Sequence, residues 1–195
     1  MTIIIIMSIL NQIKKKNKNL SKNFKINILK EESQQNHFSL KLKLRKASIN
    51  SKEIKKNDIF FAIKGKKRDG NFYLKEALDK GASLAVVNKV KKSENISKQI
   101  KVSNSLNFLT KTSSKVRENS SGKIIAITGS CGKTSLKELI GKALNKVCRV
   151  TYSSKSYNNK FGVPLSLFNL NKNDEHLAEE YIVDKNYGKV IIRNI

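Results

Sequence analysis

Apolar residues along this chain gather in short runs and helical stripes separated by polar turns. "DIFFAIKG" (Asp58–Gly65) is an apolar run closed by glycine, the mark of a buried strand. "NFYLKEALDKGA" follows, with Leu74, Ala77 and Leu78 at helical spacing and Gly81 where a helix C-cap belongs. "SLAVVN" (Ser83–Asn88) predicts the next strand and "QIKVSN" a third. A helical pattern from Ser105 to Arg117 then places Leu106, Leu109 and Val116 on one side. Strands alternating with helices predict an α/β fold with a mainly parallel or mixed sheet.

"ENSSG" (Glu118–Gly122) is polar and aperiodic, and the pattern restarts after it. The strand "KIIAIT" leads through a glycine-bearing loop into a helix carrying Leu136, Leu139, Ile140, Ala143, Leu144 and Val147. Those positions form one apolar stripe suited to a sheet face. "CRVTYS" reads as the next strand of the same βαβ unit. The chain therefore divides into a first unit over 1–118, a linker over 119–122 and a partial second unit over 123–195. Residues 1–45 carry no readable period, and 171–195 leave the pattern.

Composition changes this picture little. At 195 residues there is room for one ordinary domain or two small ones. Forty Lys plus Arg against fifteen Asp plus Glu give a formal charge of +25, which raises the question of a nucleic-acid partner. The lysines run through every segment with Asn, Ile and Ser, however, and form no single stripe interleaved with aromatics. That distribution speaks for a chain-wide bias and against a specific nucleic-acid groove. Cys131 and Cys148 make no disulfide framework, and neither they nor His37 and His176 stand at metal-ligand spacings. "MTIIIIMSIL" is too short to span a bilayer, where about 20 apolar residues are needed. It also lacks the preceding basic residues of a secretory signal. The expectation is a cytoplasmic, monomeric protein.

The chemistry sits in "TGSCGKTS", between strand and helix. Gly129 and Gly132 let the backbone bend tightly and bring N–H groups to an anion. The helix start behind them adds further donors and the positive end of a dipole. Lys133 is placed to reach phosphate oxygens as a point charge, and the Thr134 hydroxyl to ligate Mg²⁺. The candidate phosphate site is thus Gly129, Ser130, Cys131, Gly132, Lys133, Thr134 and Ser135, with Lys133 as the catalytic group. The longer Walker spacing is not met, since its first glycine falls at Ile127. Cys131 reads as a loop residue, because no histidine lies nearby to activate it.

Three stretches, in order, resemble the Mur ligases, which build the peptide of bacterial cell-wall precursors. "TGSCGKTS" matches their short ATP loop, T-G-[ST]-x-G-K-[TS]-[TS]. "SINSKEIKKNDIFFAIKGKKRDGNFYLKEALDKGASLAVVNK" (Ser48–Lys89) is similar to their N-terminal, UDP-precursor-binding domain, and "SYNNKFGVPLSLFNL" (Ser156–Leu170) to the segment after the ATP loop. Within the family, Asn158-Asn159 before Gly162-Val163-Pro164 is most similar to members joining D-alanyl-D-alanine to UDP-MurNAc-tripeptide.

The resemblance implies a small N-terminal Mur-type domain followed by the beginning of a parallel-sheet P-loop ATPase domain. It also implies ATP and Mg²⁺ as cofactors and amide ligation through an acyl phosphate. It places UDP-precursor binding at Ser51, Lys52, Asn158 and Asn159, although the two asparagines suit a turn equally well. Asn50 and Lys52 replace the acid and arginine of the family's Asp-Ser/Thr-Arg pattern, and lysine lacks arginine's two-pronged fork. The Asp69-Gly70 turn matches, with Asn71 where a histidine is frequent. After Leu170 the family continues into a strand ending in a Mg²⁺-binding glutamate. Here "YIVD" is the strand-like stretch, and Glu179 and Glu180 precede it, so neither is assigned to metal. A truncated or frame-shifted product, inactive as an isolated fragment, is the expectation.

Other readings stay open on the residues alone. One is a non-catalytic nucleotide or UDP-precursor-binding module. Another is a small P-loop kinase or GTPase, in which the block at Ser48–Lys89 has no role. A third is a basic nucleic-acid binder, whose binding falls steeply with salt.

Overall fold

The computed structural model describes residues 3–7, 24–35, 44–120, 123–129, 131–148, 150–152, 160–170 and 176–180. Contacts divide the chain into two units, one of residues 20–116 and one joining 1–19 to 117–195.

In the unit of residues 20–116, four parallel strands lie in the order β2 (Ala47–Ser48), β3 (Ile59–Phe61), β4 (Leu84–Val87), β5 (Gln99–Lys101). Every residue of β3 and β4 is buried, on both faces, which is why these strands read as unbroken apolar runs. One face packs Phe60, Ala62, Ala85 and Val87 against Leu74 and Ala77 of helix α2 (Leu74–Asp79). Asp58 fixes the start of β3 by accepting hydrogen bonds from the Arg45 guanidinium at 2.8 Å and from the N–H groups of Lys46 and Lys55 at 3.2 and 2.9 Å.

Helix α3 (Ser105–Glu118) follows the helical reading and buries Phe108, Leu109 and Val116. Leu106, expected on its apolar side, is only half-buried. Helix α1 (Phe24–Ser33) stands inside the stretch that carried no period, and it buries Ile26, Ile28 and Leu29. Lys115 of α3 bridges Glu31 and Glu32 of α1, each at 2.7 Å.

The other unit holds a mixed sheet ordered β1 (Ile3–Met7), β6 (Lys123–Gly129), β8 (His176–Glu180), β7 (Val150–Tyr152). Strands β6, β8 and β7 are parallel, and β1 adds antiparallel along the free side of β6. Residues 3–7 therefore belong with the second sheet and not with the first unit, where the sequence reading had put them. The apolar run is an edge strand that buries its backbone polarity against β6. Glu179 and Glu180, read from sequence as preceding the strand-like "YIVD", lie within β8 (His176–Glu180), while "YIVD" itself lies outside the described residues.

Helix α4 (Lys133–Leu144) lies on this sheet, with Leu136, Ile140 and Leu144 around Ile125 and Ile127 of β6 and Tyr152 of β7. The packing is close: a Cβ built at Gly141 lies 2.5 Å from the Tyr152 ring. The predicted stripe is wider than the face that is covered. Leu139 is 65% exposed, and Val147, which falls beyond the helix end, is 82% exposed. Helix α5 (Gly162–Phe168) buries Pro164, Leu165, Leu167 and Phe168.

Candidate functional site

The phosphate-loop candidates stand at the carboxyl end of β6, the sheet edge where open α/β folds bind ligands. Gly129 is the last residue of the strand. Gly132 occupies the N-cap of α4 with φ 77° and ψ 0°, left-handed values that an L side chain adopts only under strain. Cys131 and Ser135 are exposed, while Lys133 and Thr134 open the helix half-buried. Leu136 makes the first helical bond, its N–H donating to the Gly132 carbonyl at 2.9 Å. A helix start aims its earlier N–H groups outward along the axis, so the loop sets backbone donors at the helix start that also carries Lys133, Thr134 and Ser135. Ser130, Asn158 and Asn159 lie outside the described residues.

Strand β8 brings a second chemistry to the same edge. It runs parallel to β6 with Glu179 in register with Ala126 and Glu180 with Ile127, two residues before Gly129. Two acidic positions of β8 thus stand in register with the strand that leads into the phosphate loop, where the sequence reading set both before "YIVD" and assigned neither to metal. The missed signal is position: polar residues at the carboxyl end of a central parallel strand mark ligand chemistry.

In the unit of residues 20–116, Ser51 and Lys52 open a short turn after β2, capped by the Asn50 side chain, which accepts from the Lys52 N–H at 3.1 Å. Ser51 is buried and donates its hydroxyl hydrogen to Glu76 at 2.8 Å. Lys80 reaches the other Glu76 oxygen at 3.0 Å. These bonds, Lys80 first and Ser51 second, hold the Glu76 carboxyl below its ordinary range. Ser51 is therefore engaged within the fold, while Lys52 is exposed.

The carboxyl edge of this sheet carries a further polar network. Asp69 accepts from the Asn71 side-chain amide at 2.6 Å and its N–H at 2.9 Å, and both lower the Asp69 pKa. Asn71 in turn accepts from the Asn88 N–H at 3.0 Å. Asn88, one residue past β4, donates to the Ser103 carbonyl at 2.9 Å and accepts from the Ser105 hydroxyl at 3.1 Å. Gly70 lets the turn press onto β3's continuation, since a Cβ there lies 2.6 Å from the Ile63 nitrogen. Asn88 was not singled out from sequence; a lone asparagine closing an apolar strand was its only signal.

Two family models match. The model described as "Mur ligase family, catalytic domain" covers residues 44–118, and "Mur ligase middle domain" covers 127–183. The chain belongs to the Mur ligase family. The second match extends past Leu170, so the family pattern continues through β8 instead of stopping before it.

The chain is 40% identical to a UDP-N-acetylmuramoyl-tripeptide–D-alanyl-D-alanine ligase of Rickettsia prowazekii, over 68% of this chain and 29% of the relative. It is 33% identical to the ligase of the same name from Buchnera aphidicola subsp. Baizongia pistaciae, over 77% of this chain and 32% of the relative. It thus spans about three tenths of the length of these curated Mur ligases. Among solved structures, MurF from Acinetobacter baumannii superposes with a TM-score of 0.66 at 25% identity, over 80% of this chain and 34% of that one. MurF from Thermotoga maritima in complex with ADP gives 0.56 at 33% identity, over 72% and 32%.

Proposed function

We propose that this Mur ligase chain supplies the precursor-holding and polyphosphate-gripping parts of a cytoplasmic ligase that joins D-alanyl-D-alanine to UDP-MurNAc-tripeptide at the expense of ATP. The observation that carries the reading is the left-handed Gly132 cap, with Lys133 and Thr134 directly behind it at the carboxyl edge of β6. The relatives named for that reaction give it its substrates.

In this reading the tripeptide carboxylate takes the γ-phosphoryl group, ADP leaves, and the dipeptide amine then displaces phosphate to form the amide. The moving group is strongly anionic, so the protein's work is positioning and charge neutralisation. The backbone donors at Gly132 and the Lys133 ammonium hold the polyphosphate, and Lys52, Asn158 and Asn159 hold the precursor. The Thr134 hydroxyl at the helix start is an oxygen donor of the kind that suits Mg²⁺. When bound, Mg²⁺ neutralises charge on the polyphosphate. One copy of the chain contains each of these groups.

Calorimetric titration with ADP and Mg²⁺ tests the reading. Lys133→Ala is expected to weaken binding by about 10- to 100-fold, the worth of a charged hydrogen bond, with the melting temperature unchanged. Equal affinity in the two proteins, or no binding by either, overturns it.

A further inference from the structure

The Lys52 side chain is exposed, yet its backbone is fixed at both polar groups by side chains of other residues. Its N–H donates to the Asn50 side chain at 3.1 Å, and its carbonyl accepts from the Lys80 ammonium at 3.3 Å. The residue before it is held as well: the buried Ser51 hydroxyl donates to Glu76 at 2.8 Å. The turn has little of its own to keep this shape. It is a short 3₁₀ piece, Ser51–Glu53, closed by backbone bonds of 3.1 and 3.4 Å, and bonds in such pieces are poorly aligned.

Glu76 joins the two supports. One of its carboxylate oxygens accepts from Ser51 and the other from Lys80 at 3.0 Å. An i,i+4 ion pair at a helix surface is worth little by itself. Here both partners turn to a segment outside α2, 25 residues away for Glu76 and 28 for Lys80. Lys80 and Ser51 lower the Glu76 pKa most, and the Lys52 ammonium adds a smaller electrostatic pull, so its charge is close enough for Glu76 to feel. The turn follows β2 at the carboxyl edge of a parallel sheet, the edge at which open α/β sheets bind ligands. A lysine offers a point charge on a flexible stem, so the backbone that carries it sets where that charge can reach.

We propose that Glu76 is a positioning residue: with Ser51 and Lys80 it braces the turn at 51–53 and fixes the backbone from which Lys52 reaches the anionic precursor. The brace stands on the hydrogen bonds alone. Its use rests on the reading above that Lys52 holds the precursor.

The test uses the 195-residue chain as wild type, Glu76→Ala, Lys80→Met, Lys52→Met and the double variant Glu76→Ala/Lys52→Met. Amide hydrogen exchange reads the brace. Losing hydrogen bonds to a charged group is expected to speed exchange at residues 52–54 at least about tenfold in Glu76→Ala, with β4 unchanged. Unchanged exchange at 52–54, or equal acceleration in β4, overturns the brace. Should Glu76→Ala not fold, acceleration confined to 52–54 in Lys80→Met supports the brace, and its absence overturns it.

Calorimetric titration with UDP-MurNAc-tripeptide reads the use. Removing a negative charge beside an anion site strengthens binding by charge alone, so a loss reports position. Glu76→Ala is expected to weaken binding about tenfold, yet to add less than about twofold in the Lys52→Met background, because it acts through that side chain. An equal loss in both backgrounds, or no loss in either, overturns the positioning role. No binding by the wild type, or undiminished binding by Lys52→Met, overturns the precursor reading of Lys52 and the positioning role with it, while hydrogen exchange still decides the brace.

Discussion

The two units bury themselves in different ways. In residues 20–116 the strands β3 and β4 are covered on both faces, and the core residues Phe60, Phe61, Leu74 and Leu84 are sealed from solvent. In the second unit α4 covers the sheet with one narrow stripe, leaves Leu139 outside and places a lysine inside. β7 is only half-buried along its length. Among the described residues, the first unit is organised by apolar packing, whereas in the second a buried lysine shares α4 with the residues that pack on Ile125 and Ile127. A stable scaffold and a ligand-ready edge place opposite demands on a helix–sheet interface.

The largest effect that tests this contrast is expected from Phe60→Ala in the first unit. Emptying that sealed site should cost about 3–5 kcal/mol in urea unfolding. A loss below about 1 kcal/mol would show that the two cores are not so different.

A smaller effect follows from Asp69. Its carboxyl is held low by the Asn71 amide and N–H. A depressed acid adds stability above its unfolded pKa of about 3.9, and that stability is lost as pH falls through the lower folded value. The group is half-buried at the surface, and solvent screening keeps the contribution under about 1 kcal/mol. Asp69→Asn should therefore flatten the fall in melting temperature between about pH 5 and pH 3. An unaltered pH profile would count against the turn as a stabilising device.

The smallest effect is expected at Leu139. Leu139→Ala on the exposed side of α4 should shift stability by no more than about 0.5 kcal/mol, read in the same urea series. A core-sized loss there would mean that this side of the helix is covered after all.

What could be read from the sequence follows from where the physics is local. β3 and β4 announced themselves because a strand buried on both faces must be apolar throughout. The strand–loop–helix turn at Gly129–Ser135 was legible because an apolar strand and an amphipathic helix flank its two glycines. α1 escaped because Ile26, Ile28 and Leu29 are diluted among lysines and asparagines. The strand at His176–Glu180 was not read from sequence, because its alternation of polar and apolar residues is short and its parallel partners lie far away in the chain. Ser51 was expected at a ligand, yet its hydroxyl is taken by Glu76, 25 residues away, a pairing that no local pattern encodes.

The order of strands also sets a timetable for synthesis. β6 and β7 are made early but never touch, because β8, which follows them in the chain, is the strand that joins them. As the chain leaves the ribosome, residues 20–116 can close around their own core while β6 and β7 still lack the middle of their sheet. The carboxyl edge of this sheet is therefore born late: an incomplete chain released before residue 176 would carry the loop after β6 without the strand that joins its sheet.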